Sequence, residues 1–143
     1  MRLVLDTATM VSAIRSDSGA SRKLLVAAIE HRSVVLLVSV PLLIEYEAVL
    51  TRAEHLRAAR LSARDVGILL DAVAAVAEPV RLAFLWRPTL PDADDDMVLE
   101  TAVNGKADGI VTLNRRDFAK GATTFGIPIL SPADTVRQME EKS

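Results

Sequence analysis

Four aspartates fall within five positions in the stretch Asp92-Ala-Asp-Asp-Asp96, between Pro91 and the apolar run that starts at Met97. Carboxylates packed this closely repel one another unless water or a cation screens them. Three further acids stand where a carboxylate is conspicuous. Asp6 ends the apolar run Leu3-Val-Leu5, Glu45 lies in the leucine-rich stretch from Leu42 to Leu50, and Asp117 follows Thr112-Leu-Asn-Arg-Arg116. Three or four carboxylates gathered around one point cannot all keep their charge without a cation. Oxygen ligands with neither histidine nor cysteine suit Mg²⁺ or Mn²⁺. The matching chemistry is metal-assisted hydrolysis of a phosphodiester. The ion lowers the pKa of a water and neutralises charge on the phosphate, and a carboxylate such as Asp95 accepts the proton.

Helical periodicity selects among these acids. On a helix from Ser39 to Leu50, Leu42, Tyr46 and Val49 form one stripe, and Glu45 sits inside it, three residues from Leu42 and four from Val49. A charge there needs a partner cation, either an arginine or a metal ion. Glu47 falls off the stripe and should be solvated. In the helix after Pro91 the apolar positions are Val98, Leu99, Ala102 and Val103. Asp95 projects onto that face, and Asp92 does too if the turn extends so far. Asp96 lies at its margin as a fallback ligand, and Asp94 points to solvent. All four aspartates are also favoured electrostatically near a helix N-terminus. Asp117 reads equally as a ligand or as the N-cap of a short helical turn, with Thr112 and Asn114 beside it. His31 and His55 read as surface residues away from these positions.

The elements that must position these residues follow from pattern. Residues 2–6 read as a buried strand, 7–20 as a loop with room for a short helix, and 21–31 as a helix. A second strand runs over 34–38 and a helix over 39–50, with Pro41 in its first turn. Ser62-Ala-Arg-Asp65 resembles a capping box and opens a helix bearing Val66, Leu69, Leu70, Val73 and Ala77. A short strand is expected at 80–82, a helix from the acidic stretch to about Val103, and strands at 109–112 and 127–130. Ser131 and Pro132 open a last helix. The alternation predicts an α/β fold, a three-layer α/β/α sandwich with a mostly parallel, doubly wound central sheet. In such sheets ligands bind beyond the C-terminal ends of the strands, where Asp6 and Thr112 fall.

Composition agrees. With 143 residues, half of them hydrophobic but only 3% aromatic, the chain suits one domain, residues 1–143, with an aliphatic core. No cysteine is present, which removes disulfides and thiolate metal sites. A net charge of -2 gives no general attraction to nucleic acid, so any such contact needs a local basic patch. Arg115, Arg116 and Lys120 adjoin the acids and are the expected RNA-binding group; Arg15, Arg22 and Lys23 form another cluster. No apolar run is long enough for a membrane span and no targeting segment is visible, so a cytoplasmic, membrane-free protein is expected.

The ordered set Leu3-Val-Leu-Asp-Thr7, Ser39-Val-Pro-Leu-Leu-Ile-Glu-Tyr-Glu-Ala-Val-Leu50, Asp92-Ala-Asp-Asp-Asp-Met-Val-Leu-Glu-Thr-Ala102, Ala107-Asp-Gly-Ile-Val-Thr-Leu-Asn-Arg-Arg-Asp-Phe118 and Ile127-Pro-Ile-Leu-Ser-Pro132 resembles PIN-domain nucleases, of the kind found as VapC-like toxins in toxin–antitoxin pairs. The resemblance implies Mg²⁺- or Mn²⁺-dependent cleavage of single-stranded RNA. It implies a site of Asp6, Glu45, Asp95 and Asp117, with Asp92, Thr112 and Asn114 nearby. It also implies a homodimer and inhibition by a cognate antitoxin. Two positions depart from the family pattern. Asp6-Thr7 is followed by Ala8 where asparagine is common, and Asn114 stands where aspartate is frequent. These departures motivate an alternative, a catalytically weakened PIN-like fold that binds nucleic acid or protein. A phosphoryl-transfer domain would want a second acid at Ala8 and a lysine where Asn114 and Arg115 stand.

Overall fold

The computed structural model describes residues 1–30, 33–83 and 93–141, with the backbone alone at 93–94 and 120–123. Asp92 and His31 lie outside the described residues, and the side chains of Asp94 and Lys120 are likewise not described.

The first strand, β1 (Arg2–Leu5), is built from residues buried on both faces, as a central strand of a parallel sheet requires. β2 (Val35–Val38), β3 (Glu78–Pro79), β4 (Gly109–Val111) and β5 (Ile129–Leu130) complete a five-stranded sheet in the order β3-β2-β1-β4-β5. Every pairing is parallel: Leu3 stands opposite Leu36 on one side and opposite Gly109 on the other. A Cβ on Gly109 would come within 2.8 Å of the Leu130 side chain, so glycine there lets β4 and β5 close.

The chain runs outward from β1 to β3, then returns to β4 on the opposite side of β1. Right-handed crossovers therefore put the connections that run toward β3 and those that run from β3 to β5 on opposite faces, giving three layers, and the last helix returns to the first face. Between β1 and β3 lie α1 (Thr7–Arg15), α2 (Ala20–Ile29), α3 (Val40–Leu50), α4 (Ala53–Ala59) and α5 (Ala63–Val76). After β3 come α6 (Ala93–Asn104), which packs on β1, β2 and β4, then α7 (Arg115–Phe125) and α8 (Pro132–Glu141). No described helix is long and apolar enough to cross a membrane.

Local chemistry explains most boundaries. Ser39 caps α3 by accepting from the Leu42 N–H, and Pro41 occupies its first turn. Ser62 and Asp65 form the expected reciprocal capping box of α5, and the two hydrogen bonds from Ser62 hold the Asp65 carboxyl below its ordinary value. Two elements depart from expectation. Where a loop with room for a short helix was expected, residues 7–15 form a helix of nine residues, burying Thr9, Met10, Ala13 and Ile14. Its N-cap is Asp6, so the start signal was hidden in a residue read as part of the site. The third strand lies at Glu78–Pro79 instead of 80–82, with the Val80 N–H donating to Val38 O at 2.7 Å.

Candidate active site

The reversal of strand order leaves a crevice beyond the C-terminal ends of β1 and β4, the place where open α/β sheets bind ligands. Asp6 follows β1 and Thr112 follows β4. Their side chains meet, the Thr112 hydroxyl donating to Asp6 Oδ2 at 2.5 Å. Asp6 Oδ1 accepts from the Thr9 N–H at 2.8 Å. Asp6 is thus both the N-cap of α1 and the floor of the crevice. Burial pushes its carboxyl pKa up; the Thr112 and Thr9 hydrogen bonds pull it back, and the charge of Asp117 adds a further upward push.

A relay of donors continues from Thr112. Its hydroxyl oxygen accepts from the Asn114 N–H at 3.0 Å, and Asn114 Nδ2 donates to Asp117 Oδ2 at 2.8 Å. α7 begins at Arg115, so Asp117 lies within its first turn rather than capping a short one. Asn114 spends its amide on Asp117; an aspartate there would face that carboxylate instead.

Glu45 reaches the crevice from α3, which is tied down at both ends of its first turns. Tyr46 is fully buried and donates its hydroxyl to Leu5 O at 2.5 Å, one residue before Asp6. Burial first, and the Asp6 charge second, push the phenol pKa up, so it remains a donor. At the helix start, Ser39 Oγ and Thr101 Oγ1 stand 2.7 Å apart, and Thr101 donates to Met97 O. That fixes the direction of the chain: Leu42 N–H to Ser39, Ser39 to Thr101, Thr101 to Met97. It links α3 to α6, the helix that carries Asp95.

Asp6, Glu45, Asp95 and Asp117 line one open cleft of about 420 Å³, together with Asn114 and Ala8. Asp96 does not line it; it is 1% exposed, packed into the fold rather than at a margin. α6 is buried almost all round, with Glu100 and Thr101 as deep as Val98 and Leu99, so it has no single apolar face. Asp95 is accessible because it sits at the helix end over the sheet edge.

Sequence reasoning missed the other bank of the cleft. Arg52 and His55 line it, so His55 belongs to the site and not to a remote surface. Arg52 is the N-cap of α4 and His55 lies in its first turn, a short helix with no buried residue to mark it in the sequence. Arg115 and Arg116 instead line an adjoining cavity with Thr112, Asn114 and Asp117. Arg115 is engaged there, donating to Asp134 Oδ2 at 2.7 Å.

The PIN-domain family model matches residues 2–116. The chain belongs to the PIN-domain family. A solved structure with this fold, VapBC2 from Rickettsia felis bound to a DNA fragment from its promoter, superposes on 92% of this PIN domain and 98% of the matched chain with a TM-score of 0.60, at 13% identity. No curated protein matches the chain by sequence. The family is one of nucleases that generally use divalent metals.

The donor types lining the cleft suit such an ion: four carboxylates and one imidazole, with no cysteine or methionine. Among the described residues no three acidic or histidine side chains stand close enough to share one ion. The expected gathering of three or four carboxylates around one point is therefore not met among the described residues.

Proposed function

We propose that this PIN domain is a Mg²⁺- or Mn²⁺-dependent endoribonuclease that hydrolyses phosphodiester bonds of single-stranded RNA, and that it is the toxin of a toxin–antitoxin pair. One observation carries the reading. Carboxylates from four separate segments, Asp6, Glu45, Asp95 and Asp117, line one cleft at the sheet's switch point. Gathering like charges there costs free energy that a divalent cation relieves. The VapBC2 likeness supports a cognate antitoxin; a homodimer and a cytoplasmic setting accompany this reading as expectations.

A divalent ion held by Asp6 with Glu45, Asp95 or Asp117 would neutralise charge on the phosphate and acidify a water. The chain's own groups do the rest. Thr112 and the Thr9 N–H fix both Asp6 oxygens, so the carboxylate keeps one orientation. Tyr46 and Ser39 hold α3, and so Glu45, against β1 and α6. Asp95, half-buried at the cleft wall, accepts a proton from the attacking water. Asn114 orients Asp117, and Arg115 and Arg116 steady phosphates on the adjoining side. Asp92 is retained as an additional ligand; Asp96, being buried, is assigned a packing role only.

The test is cleavage of a labelled single-stranded RNA by purified protein with Mn²⁺, beside Asp6→Asn and Glu45→Gln purified identically. Loss of cleavage in both variants is expected. Equal cleavage by Asp6→Asn would remove the assigned site. Ala8, Asn114 and the wide spacing of the acids favour one second reading, a PIN-like binding module with weakened catalysis. Near-stoichiometric Mn²⁺ binding that Glu45→Gln abolishes would exclude it.

A further inference from the structure

We propose that Arg52 and His55, which line the cleft itself while Arg115 and Arg116 line the adjoining cavity, form a phosphate-positioning pair that holds the RNA strand next to the bond being cut. The inference deepens the nuclease reading and rests on it. Both residues line the same cleft as Asp6 and Glu45. Arg52 is exposed, and among the described residues its guanidinium has no hydrogen-bond or ion-pair partner, whereas Arg115 is held by Asp134. A permanent cation left unpaired beside carboxylates in a solvent-filled cleft is available to an anion.

His55 is prepared for the same task. Arg15, the last residue of α1, approaches His55 Nδ1 through its Nη1 at 3.3 Å. Arginine has donors and no acceptor, so the imidazole must accept at Nδ1 and carry its proton at Nε2. The ring is therefore left with one N–H donor to offer, backed by a positive charge. The acids bind a phosphodiester only through a cation, because they repel its charge. The neighbouring phosphate of the same strand needs a cationic wall, and the α4 side supplies it. A strand lying between the acids and the α4 side crosses the cleft with its cut site over Asp6.

The experiment is fluorescence anisotropy of a 5′-labelled single-stranded RNA in EDTA, which measures binding with cleavage switched off, over a salt series. Arg57, exposed on the same helix but away from the cleft, is the control. Arg52→Ala should weaken binding roughly tenfold, the loss expected for one charge-assisted contact. It should lower the salt slope by about 0.7, the value for one phosphate on a single strand. His55→Ala should weaken binding less, and Arg57→Ala should leave the slope unchanged. In Mn²⁺, Arg52→Ala should raise KM by more than it lowers kcat. Thermal unfolding of each variant confirms that it is folded. Arg52→Ala indistinguishable from Arg57→Ala in affinity and slope overturns the inference, as does absence of RNA binding at low salt. Cleavage by Asp6→Asn equal to the parent's would instead overturn the nuclease site itself.

Discussion

Tyr46→Phe removes one oxygen and leaves a ring of nearly the same volume, so no cavity accompanies the lost hydrogen bond. Tyr46 is 2% exposed, and its partner is a backbone carbonyl at 2.5 Å in the last residue of the central strand. Leaving a buried acceptor without its donor costs about 1–3 kcal/mol. For a chain near this length each kcal/mol lowers the Tm by ~2–4 °C, so a fall of roughly 2–12 °C is expected. The pH dependence carries a second check. The phenol pKa is raised in the fold, so its stabilising contribution is whole below the unfolded value of about 10 and shrinks above it as the unfolded phenol ionises. The gap between parent and variant should hold constant from neutral pH to about 10 and narrow beyond it. Function should follow, because the same bond sets α3 against the residue before Asp6. Mn²⁺ titration by calorimetry should show weaker binding in Tyr46→Phe. Differential scanning calorimetry that finds the same Tm in both proteins would refute the claim that this bond anchors α3.

Asp6→Asn tests the burial of the carboxylate directly. The Asp6 pKa is raised, so whatever stability this group lends is present below the unfolded value of about 3.9 and lost as pH rises. In EDTA at neutral pH the variant should be at least as stable as the parent, with the difference shrinking toward pH 4; a parent more stable at neutral pH contradicts this. Ser39→Ala should cost about 1–2 kcal/mol through the lost cap of α3. Combined with Thr101→Val it should cost less than the sum, because both lie in one donor chain; strict additivity in urea melts would break that chain. Asn114→Asp replaces a donor to Asp117 with a like charge at an exposed position. Without metal it should lose under ~1 kcal/mol, and in thermal-shift titrations it should gain more from Mn²⁺ than the parent does; an unchanged Mn²⁺ response would count against Asp117 as part of an ion site.

How far this was legible in the sequence depends on which physical feature carried the signal. Strand ends were readable because Leu3-Val-Leu5 is an unbroken apolar run that stops at a carboxylate, and a parallel sheet aims such stops at one edge. Glu45 was readable because Leu42, Tyr46 and Val49 are all buried around it. Asp95 was placed in the cleft for an incomplete reason. A face was assigned to α6 from Val98, Leu99 and Ala102, yet Asp96 and Glu100 are also buried. A helix enclosed by β1, β2, β4, α3 and α7 has no solvent side to betray its orientation. Arg52 and His55 were unreadable for another cause: α4 is only seven residues long and none of its residues is buried, so no apolar period marks it.

The alternatives posed for single residues also prove not to be exclusive. Asp6 is a cap and a site residue at once: it occupies the N-cap of α1 while lining the cleft. Both follow from one constraint. A strand that ends at the sheet edge must hand its chain to a helix, and the first N–H groups of that helix need an acceptor. An aspartate meets that need with Oδ1, leaving Oδ2 for Thr112 across the crevice. The cap thereby fixes the carboxylate's direction, which a loop residue could not guarantee. Thr112 and Asn114 repeat the device after β4: the Asn114 N–H donates to Thr112, which donates to Asp6, and the Asn114 amide donates to Asp117. Positional accuracy at this site therefore derives from backbone groups that the fold must satisfy in any case. Substitutions at Thr112 should accordingly loosen Asp6 and Asn114 together, although Thr112 itself does not line the cleft.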